Sequence, residues 1–570
     1  GTTATGTTST GTGGSGPTGT ATGTTSSGTG GTTTGGTATG GTDTGTADTG
    51  GGDTSTTPAD PMFTLDLGLE VVCAEPSRRL PAPFDTEALA DVDVLHPYHW
   101  GGGVSVLDLD GDGTVELIRT TETGILLYER GPSGWTDVTA DRLPLLPRGM
   151  VASATAADIE GDGDLDLLLI TWLGQNRLLR NNGAGVFDDI TEGSGLHSER
   201  WRHQTGAWGD LDADGDLDLF IGGYGDVPPS SPDVIVDPSR LYLNRGDGTF
   251  ADATHLLPAD IGAGYTFQGT FADLDLDGDQ DLAVQNDFTY HLPNQFLLND
   301  GSGALHHDPG AAYAVGVTGM GVELAELNGD GIPDHIISAY REVAVMLSTR
   351  LPDGSLTFIR SDAALGIVPR ADDPDFQQFA WGVQVGDLDN DGTEELLVMF
   401  GDATDPIQHA DGRLHWRPSA DSLWIEEAPG RWVDRAADWG LANEGVGRGL
   451  RLADWNHDGW LDVFQAELNG PTWVHTARCG DGSWLRVALR DDRTMNRYGI
   501  GATVELTGPD RSWTEWITAG STSMYSDGQP EAHFGLGDLE AVDLRITWAD
   551  GEVTVVDDVP TRRAVVLTRH

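Results

Sequence analysis

Seven short stretches of this chain set carboxylates at alternate positions around a fixed glycine. The clearest reads DLDADGDLD, from Asp210 to Asp218. Aspartates at that density repel one another, and they resist lying beside the apolar run Leu219, Phe220 and Ile221 unless something offsets their charge. The spacing itself names the offset. Side chains at positions 1, 3, 5 and 9, with the backbone carbonyl of position 7, wrap oxygen donors around one hard cation, and glycine at position 6 permits the turn between them. Coordination by oxygen alone points to Ca2+ rather than Zn2+.

The same spacing recurs seven times. Loop 1 offers Asp108, Asp110, Asp112 and Glu116, and loop 2 offers Asp158, Glu160, Asp162 and Asp166. Loop 3 offers Asp210, Asp212, Asp214 and Asp218, and loop 4 Asp273, Asp275, Asp277 and Asp281. Loop 5 offers Glu326, Asn328, Asp330 and Asp334, and loop 6 Asp387, Asp389, Asp391 and Glu395. Loop 7 offers Asp454, Asn456, Asp458 and Asp462. Loops 5 and 7 are the less acidic, through Glu326, Asn328, Asn456 and His457, so weaker sites are expected there. Seven bound Ca2+ would move the formal net charge from −58 to −44. An EF-hand is excluded, because position 12 is Arg119 in loop 1 and Leu169 in loop 2 where a bidentate Glu is needed. Asp and Gly also favour ordinary turns, but that reading does not account for seven loops with one spacing.

Such loops need rigid elements to hold them. Loop starts lie 50, 52, 63, 53, 61 and 67 residues apart, a period that suits one four-stranded sheet with its connections. Apolar, Gly-containing stretches (GGGVSVL, HQTGAWG, FAWGVQVG) precede the loops, and short apolar runs (ELIR, DLLLI, DLFIGG, ELLVMF) follow them. A third run with a turn comes next, as in RLLRNNGAGVFDDIT and RLYLNRGDGTFADAT. The pattern predicts strand, loop, strand, strand, turn, strand, with no helical periodicity. Seven such sheets around an axis make an all-β, seven-bladed propeller over residues 59–482, which manages strand edges by radial closure.

TGAWGDLDADGDLDLFIGG resembles the FG-GAP/VCBS repeat of integrin α-subunit propellers and many bacterial surface proteins. SWLRVALRDDRTMNRYGIGATVELTG, HFGLGD and VDLRITWADGEVTVVDDV resemble the ASPIC/UnbV domain, which follows such propellers in cartilage acidic protein and its bacterial relatives. The two resemblances together cover about residues 84–570. They imply a Ca2+-binding, non-catalytic extracellular protein with adhesive or matrix roles, and a small terminal β-sandwich over residues 483–570. Alternating runs in that segment (WLRVAL, ATVELTG, DLRITW, EVTVV) agree with a sandwich.

Cys73 and Cys479 are the two cysteines, free thiols in a reducing compartment or one disulfide in an oxidising one. PFDTEAL, just after Cys73, resembles the closing runs VFDDIT and TFADAT, and Cys479 ends the seventh repeat. If the N-terminal run completes the last sheet, the two cysteines meet where the ring closes, and a Cys73–Cys479 disulfide is expected.

Residues 1–58 form a Thr/Gly-rich low-complexity tail, with 25 Thr and 19 Gly in the first 57 positions. It lacks the apolar surface to offset its ordering entropy, so it is expected to act as a spacer, to carry O-linked glycans, or to order on a neighbouring subunit. A start at Gly1 suggests a mature form after signal-peptide removal, hence secretion or the cell surface. The charge of −58 excludes nucleic acid and anionic lipid as partners, and no apolar run is long enough to span a membrane.

Catalytic signatures are absent: there is no HExxH, GxSxG elbow or Walker loop. His96 with His99, and His306 with His307, are the histidine pairs that could ligate a transition metal. Trp100, Trp208, Trp381, Tyr224 and Tyr265 could stack on sugars at a propeller mouth, although packing explains aromatics there as well. The expected function is a calcium-stabilised structural or adhesion protein, self-associating into a surface fibre or array through its tail or binding another surface protein or glycan. The alternative is a lectin or glycan-active enzyme using the propeller's loop face.

Overall fold

The computed structural model describes residues 62–73, 84–89, 101–197, 199–225, 236–288, 292–307, 316–352, 354–369, 378–402, 407–408, 414–415, 417–468, 470–520 and 523–570. The Thr/Gly-rich tail, His96, His99 and Trp100 lie outside the described residues.

The chain is all-β. Among the described residues seven four-stranded antiparallel units follow one another, each carrying one acidic loop between its first and second strands. Unit 1 is Val104–Leu107, Glu116–Thr121, Gly124–Gly131 and Gly134–Asp137. The first strands of units 2 to 7 are Val151–Ala157, Trp201–Gly209, Tyr265–Ala272, Gly319–Ala325, Phe379–Gly386 and Gly447–Ala453. In every unit the second strand begins at loop position 9, and that residue pairs with the last residue of the first strand, as Gly209 does with Asp218. The loop is therefore a hairpin connection whose final carboxylate is already a ladder residue. Neighbouring first strands touch in cyclic order, and Val104–Leu107 touches Gly447–Ala453 to close the ring of a β-propeller.

Apolar side chains fill the space between adjacent sheets. Between units 3 and 4, Ala207, Leu211, Phe220 and Leu241 pack on Phe271, Leu282 and Val284, all buried. Full burial of each large side chain contributes about 1.5–3 kcal/mol.

The outer strand of unit 7 comes from the far end of the chain. Phe84–Ala88 pairs antiparallel with Thr472–Ala477, from Phe84 opposite Ala477 to Ala88 opposite Trp473. Cys73 and Cys479 are joined by a disulfide just beyond this pairing, with Cα atoms 5.6 Å apart.

The C-terminal part packs two four-stranded sheets face to face. One is Ser512–Trp516, Thr503–Thr507, Ala541–Thr547 and Val553–Pro560; in Ala541–Thr547, Val542, Leu544 and Ile546 are buried while Ala541, Asp543 and Arg545 are exposed. The other is Phe63–Leu67, Arg563–Arg569, Ser483–Asp491 and Glu531–Gly537. This corrects the boundary expected at residue 59: Phe63–Leu67 covers the edge of the C-terminal sheet rather than joining the propeller. Its partner Arg563–Arg569 would otherwise present unpaired backbone groups to solvent.

One connection of the C-terminal domain enters the space that the first strands encircle. Ala519–Gly520 pairs with Ala207 and Trp208 of unit 3, and Asp527–Gly528 runs parallel to Ser105 and Val106 of unit 1. Between them the fully buried Tyr525 hydroxyl donates to Gln204 Oε1 at 2.8 Å. Val383 N donates to Ser523 Oγ, Leu450 N to Ser526 Oγ and Ala156 N to Asp527 Oδ2. Ser523, Met524 and Tyr525 all hold positive φ (49°, 42° and 64°). Left-handed backbone costs such residues roughly 1–2 kcal/mol each, so the surrounding strands must hold this segment in place.

Candidate metal centre

Each acidic loop is built by its own carboxylates before any cation is considered. The position 1 carboxylate accepts the N–H of the position 6 glycine in all seven loops, at 3.0 Å from Gly113 and 3.1 Å from Gly215 and Gly278. The position 9 carboxylate accepts the N–H of position 2 in all seven, at 2.8 Å from Leu109 and 3.0 Å from Leu211. The position 6 glycine has φ between 76° and 101° throughout, a conformation that costs a side-chain-bearing residue strain. Position 4 is also left-handed in every loop, even where it is Ala213, Leu276, Asn390 or His457.

Four loops bring three carboxylates to one point. Asp108, Asp110 and Glu116 of loop 1 have ligand oxygens within 4.8 Å of one another. Asp210, Asp212 and Asp218 do the same in loop 3, Asp273, Asp275 and Asp281 in loop 4, and Asp387, Asp389 and Glu395 in loop 6. These are positions 1, 3 and 9. Position 5 stands apart from each triad: Asp112, Asp214, Asp277 and Asp391 turn back to accept the N–H of position 7, at 2.7, 3.2, 3.3 and 2.9 Å.

In the remaining three loops the position 3 side chain is engaged by a protein partner, and no such triad forms among the described residues. In loop 2, Arg180 pairs with Glu160 at 2.5 Å, and Asp158, Asp162 and Asp166 complete that loop. In loop 5, Asn328 Nδ2 donates to Asp334 Oδ1 at 3.1 Å and to the Ser348 carbonyl at 2.9 Å, while Glu326 and Asp330 hold the turn. In loop 7, Asn456 Nδ2 donates to Asp458 Oδ2 at 3.1 Å, beside Asp454 and Asp462. An amide at position 3 supplies donors where the triads have only acceptors.

Electrostatics show what the triads lack. Burial, reinforced by neighbouring carboxylates, pushes Glu116, Asp218 and Asp281 up to about 8 and Asp210 up to about 7. Burial likewise holds Asp387 and Glu395 well above the usual carboxylate range. Asp212 Oδ1 is buried without a hydrogen-bond partner. An orphaned carboxylate oxygen among two other carboxylates fits an oxygen-seeking cation, which would take its lone pair and neutralise the repulsion. A bound cation would supply that charge, with positions 1, 3 and 9 as its protein carboxylates.

The sequence reading missed a recurring asparagine. Asn181, Asn244 and Asn299 end the third strands of units 2, 3 and 4. Asn244 Nδ2 donates to the Ile159 carbonyl of loop 2 at 2.9 Å and to the Leu217 carbonyl of loop 3 at 3.2 Å, and its N–H donates to Asp218 Oδ1. Asn181 and Asn299 bridge loops 1 and 2 and loops 3 and 4 in the same way. The signal was the repeated Asn before a Gly-rich turn in RLLRNNGAG, LYLNRGDG and FLLNDGSG. Asn244→Ala leaves two buried carbonyls with fewer donors, so a loss of about 2–3 kcal/mol is expected in a denaturant melt followed by tryptophan fluorescence.

The other candidates do not assemble a site. His306 faces Asp300 at 3.4 Å and His307 faces Asp260 at 2.9 Å, so the pair does not converge on one ligand. Trp208, Trp381, Tyr224 and Tyr265 are at most 1% exposed and are packing residues. No helix among the described residues is long and apolar enough to cross a membrane.

Comparison with known proteins agrees with this layout. The FG-GAP-like repeat model matches residues 108–169, 159–221 and 230–284, and the ASPIC and UnbV model matches residues 492–570. Mouse cartilage acidic protein 1 is 26% identical over 536 residues, covering 87% of this chain and 75% of the mouse protein. The human protein of the same name is 26% identical over 532 residues, covering 87% and 73%. Among solved structures, an Agrocybe aegerita lectin that recognises non-reducing terminal N-acetylglucosamine aligns over 64% of this chain and 85% of its own, at 16% identity and a TM-score of 0.36. The chain therefore carries FG-GAP-like repeats followed by an ASPIC and UnbV domain, and over most of its length it is similar to cartilage acidic protein 1.

Proposed function

We propose that this protein is a non-catalytic, calcium-stabilised extracellular structural or adhesion protein that presents a rigid propeller on a Thr/Gly-rich tail. The observation that carries the reading is the repeated triad at positions 1, 3 and 9 in loops 1, 3, 4 and 6. Calcium is the cation of choice because the donors are all oxygen and the loops are surface hairpins. The similarity to cartilage acidic protein 1 and the disulfide favour an oxidising, extracellular setting. Self-association of the tail into a fibre or array, and O-linked glycans on its threonines, extend this reading from composition alone.

Calorimetric titration of the full chain tests it: about four calcium ions per chain are expected to bind with Kd near 10⁻⁴ M or tighter, with Mg2+ weaker. No calcium heat at millimolar concentration sinks the reading. Sedimentation of the native protein tests the assembly part, since only monomer at all concentrations rules out the fibre.

A further inference from the structure

The C-terminal domain sits on the face of the propeller that carries the acidic loops, and among its contacts to them one backbone position recurs. Tyr498 Oη donates to the carbonyl of Gly163 in loop 2 at 2.8 Å. Met495 N and Asn496 N both donate to the carbonyl of Gly215 in loop 3, at 3.0 and 2.8 Å. Trp513 Nε1 donates to the carbonyl of Gly392 in loop 6 at 3.1 Å. His533 Nε2 lies 3.1 Å from the carbonyl of Gly459 in loop 7. All four acceptors are position 6 glycines. The N–H of each same glycine is held by the position 1 carboxylate.

A single residue thus faces the cation site with one peptide group and the C-terminal domain with the next. A glycine's φ and ψ are not constrained by a side chain, so fixing its carbonyl removes freedom that cation binding would otherwise have to remove. We propose that the C-terminal domain pre-sets the cation sites of loops 3 and 6, with the Met495–Asn496 backbone and Trp513 acting as positioning residues for the carboxylates, while Tyr498 and His533 brace loops 2 and 7, where no triad forms among the described residues. Loops 1, 4 and 5 have no domain donor on the position 6 carbonyl among the described residues; in loop 1 that carbonyl meets His457 of loop 7 instead. Linkage makes the effect reciprocal. Whatever affinity the docked domain adds to calcium, calcium adds to domain docking.

This inference rests on the loops binding calcium, and the experiment separates the two. Trp513→Phe keeps the aromatic ring and removes the indole N–H that reaches loop 6. Trp548→Phe is the control: Trp548 Nε1 donates to Thr554 Oγ1 inside the same domain rather than to an acidic loop. Calcium titration of the full chain, with thermal melts in calcium-free buffer, reads both. For Trp513→Phe, one site is expected to weaken about fivefold or more while the calcium-free melting temperature stays near that of Trp548→Phe. Tyr498→Phe removes the donor to loop 2, where no triad forms among the described residues, and is expected to leave the calcium affinities unchanged. Equal calcium affinity in Trp513→Phe and wild type, or equal losses in Trp513→Phe and Trp548→Phe, overturns the positioning role while leaving calcium binding intact. A wild-type chain that binds no calcium overturns both readings.

Discussion

Stripping calcium from this protein is expected to lower its melting temperature by at least about 5 °C near pH 8, and by less near pH 5.5. A site with Kd on the order of 10⁻⁴ M contributes about 1.4 kcal/mol at about 1 mM calcium, so four triads acting as proposed would together contribute about 6 kcal/mol. For a cooperative unit of about 500 residues, 1 kcal/mol corresponds to roughly 1 °C. The pH term follows from the triads. Glu116, Asp218 and Asp281 are raised to about 8 in the folded chain by burial, whereas an unfolded carboxylate titrates near 4. A raised folded pKa means stability that is fully present below the unfolded value and lost as pH climbs through the folded one. Cation-free protein is therefore expected to melt higher near pH 5.5 than near pH 8. On the proposed calcium reading the ion would bind the ionised carboxylates, so its contribution would grow over the same window and the gap between loaded and stripped protein is expected to widen. Melts of desalted protein with and without calcium at the two pH values check both signs. Identical curves with and without the ion contradict the cation sites, and a gap that narrows toward pH 8 contradicts the assignment of the buried carboxylates as its ligands.

Much of the loop geometry could be read from residue types because it is local. Nine consecutive residues contain the turn, its glycine and its acceptors, so spacing alone put Asp210, Asp212 and Asp218 together. The β-propeller followed for a similar reason, since the same local device recurs at one sheet's worth of chain. What escaped the sequence is everything that depends on a distant partner. Glu160 has the spacing of a ligand, but Arg180 lies on a neighbouring strand and takes its carboxylate. The FTLDL of Phe63–Leu67 is too short to announce which sheet it joins, and its partner strand Arg563–Arg569 is about 500 residues away. The connection that enters the ring, described over residues 523–528, has no apolar periodicity that marks it as buried. It is held by pairing of Ala519–Gly520 with Ala207 and Trp208, by Asp527–Gly528 beside Ser105 and Val106, and by hydrogen bonds to Ser523, Tyr525 and Ser526, partners that composition does not encode.

Removing the disulfide is the second change with a large expected effect. Cys73→Ser with Cys479→Ser is expected to cost about 5 kcal/mol, or roughly 5 °C in melting temperature, because the bridge spans 406 residues and long loops lose most entropy on closure in the chain-entropy model. The position of Cys73 makes the effect more than a generic cross-link. The segment that carries it begins at Phe63–Leu67 on the C-terminal sheet and ends at Phe84–Ala88 on unit 7. The bridge therefore pins the chain between two edge strands that close two different sheets. In the folded state Phe84 is 7% exposed and packs against Trp439 and His475, so the closing strand holds some of its place without the bridge. The double variant is accordingly expected to keep a native near-UV spectrum at room temperature and to unfold earlier on heating. Removing the residues before Leu89 altogether takes away the bridge, the outer strand of unit 7 and the edge strand of the C-terminal sheet together, and is expected to be worse than the double serine variant. A double serine variant that melts with wild type, or a wild-type chain whose mobility on a denaturing gel is unchanged by reduction, would show that the bridge contributes nothing. If the truncated chain is no less stable than the double serine variant, the strands rather than the disulfide are the dispensable part of the closure.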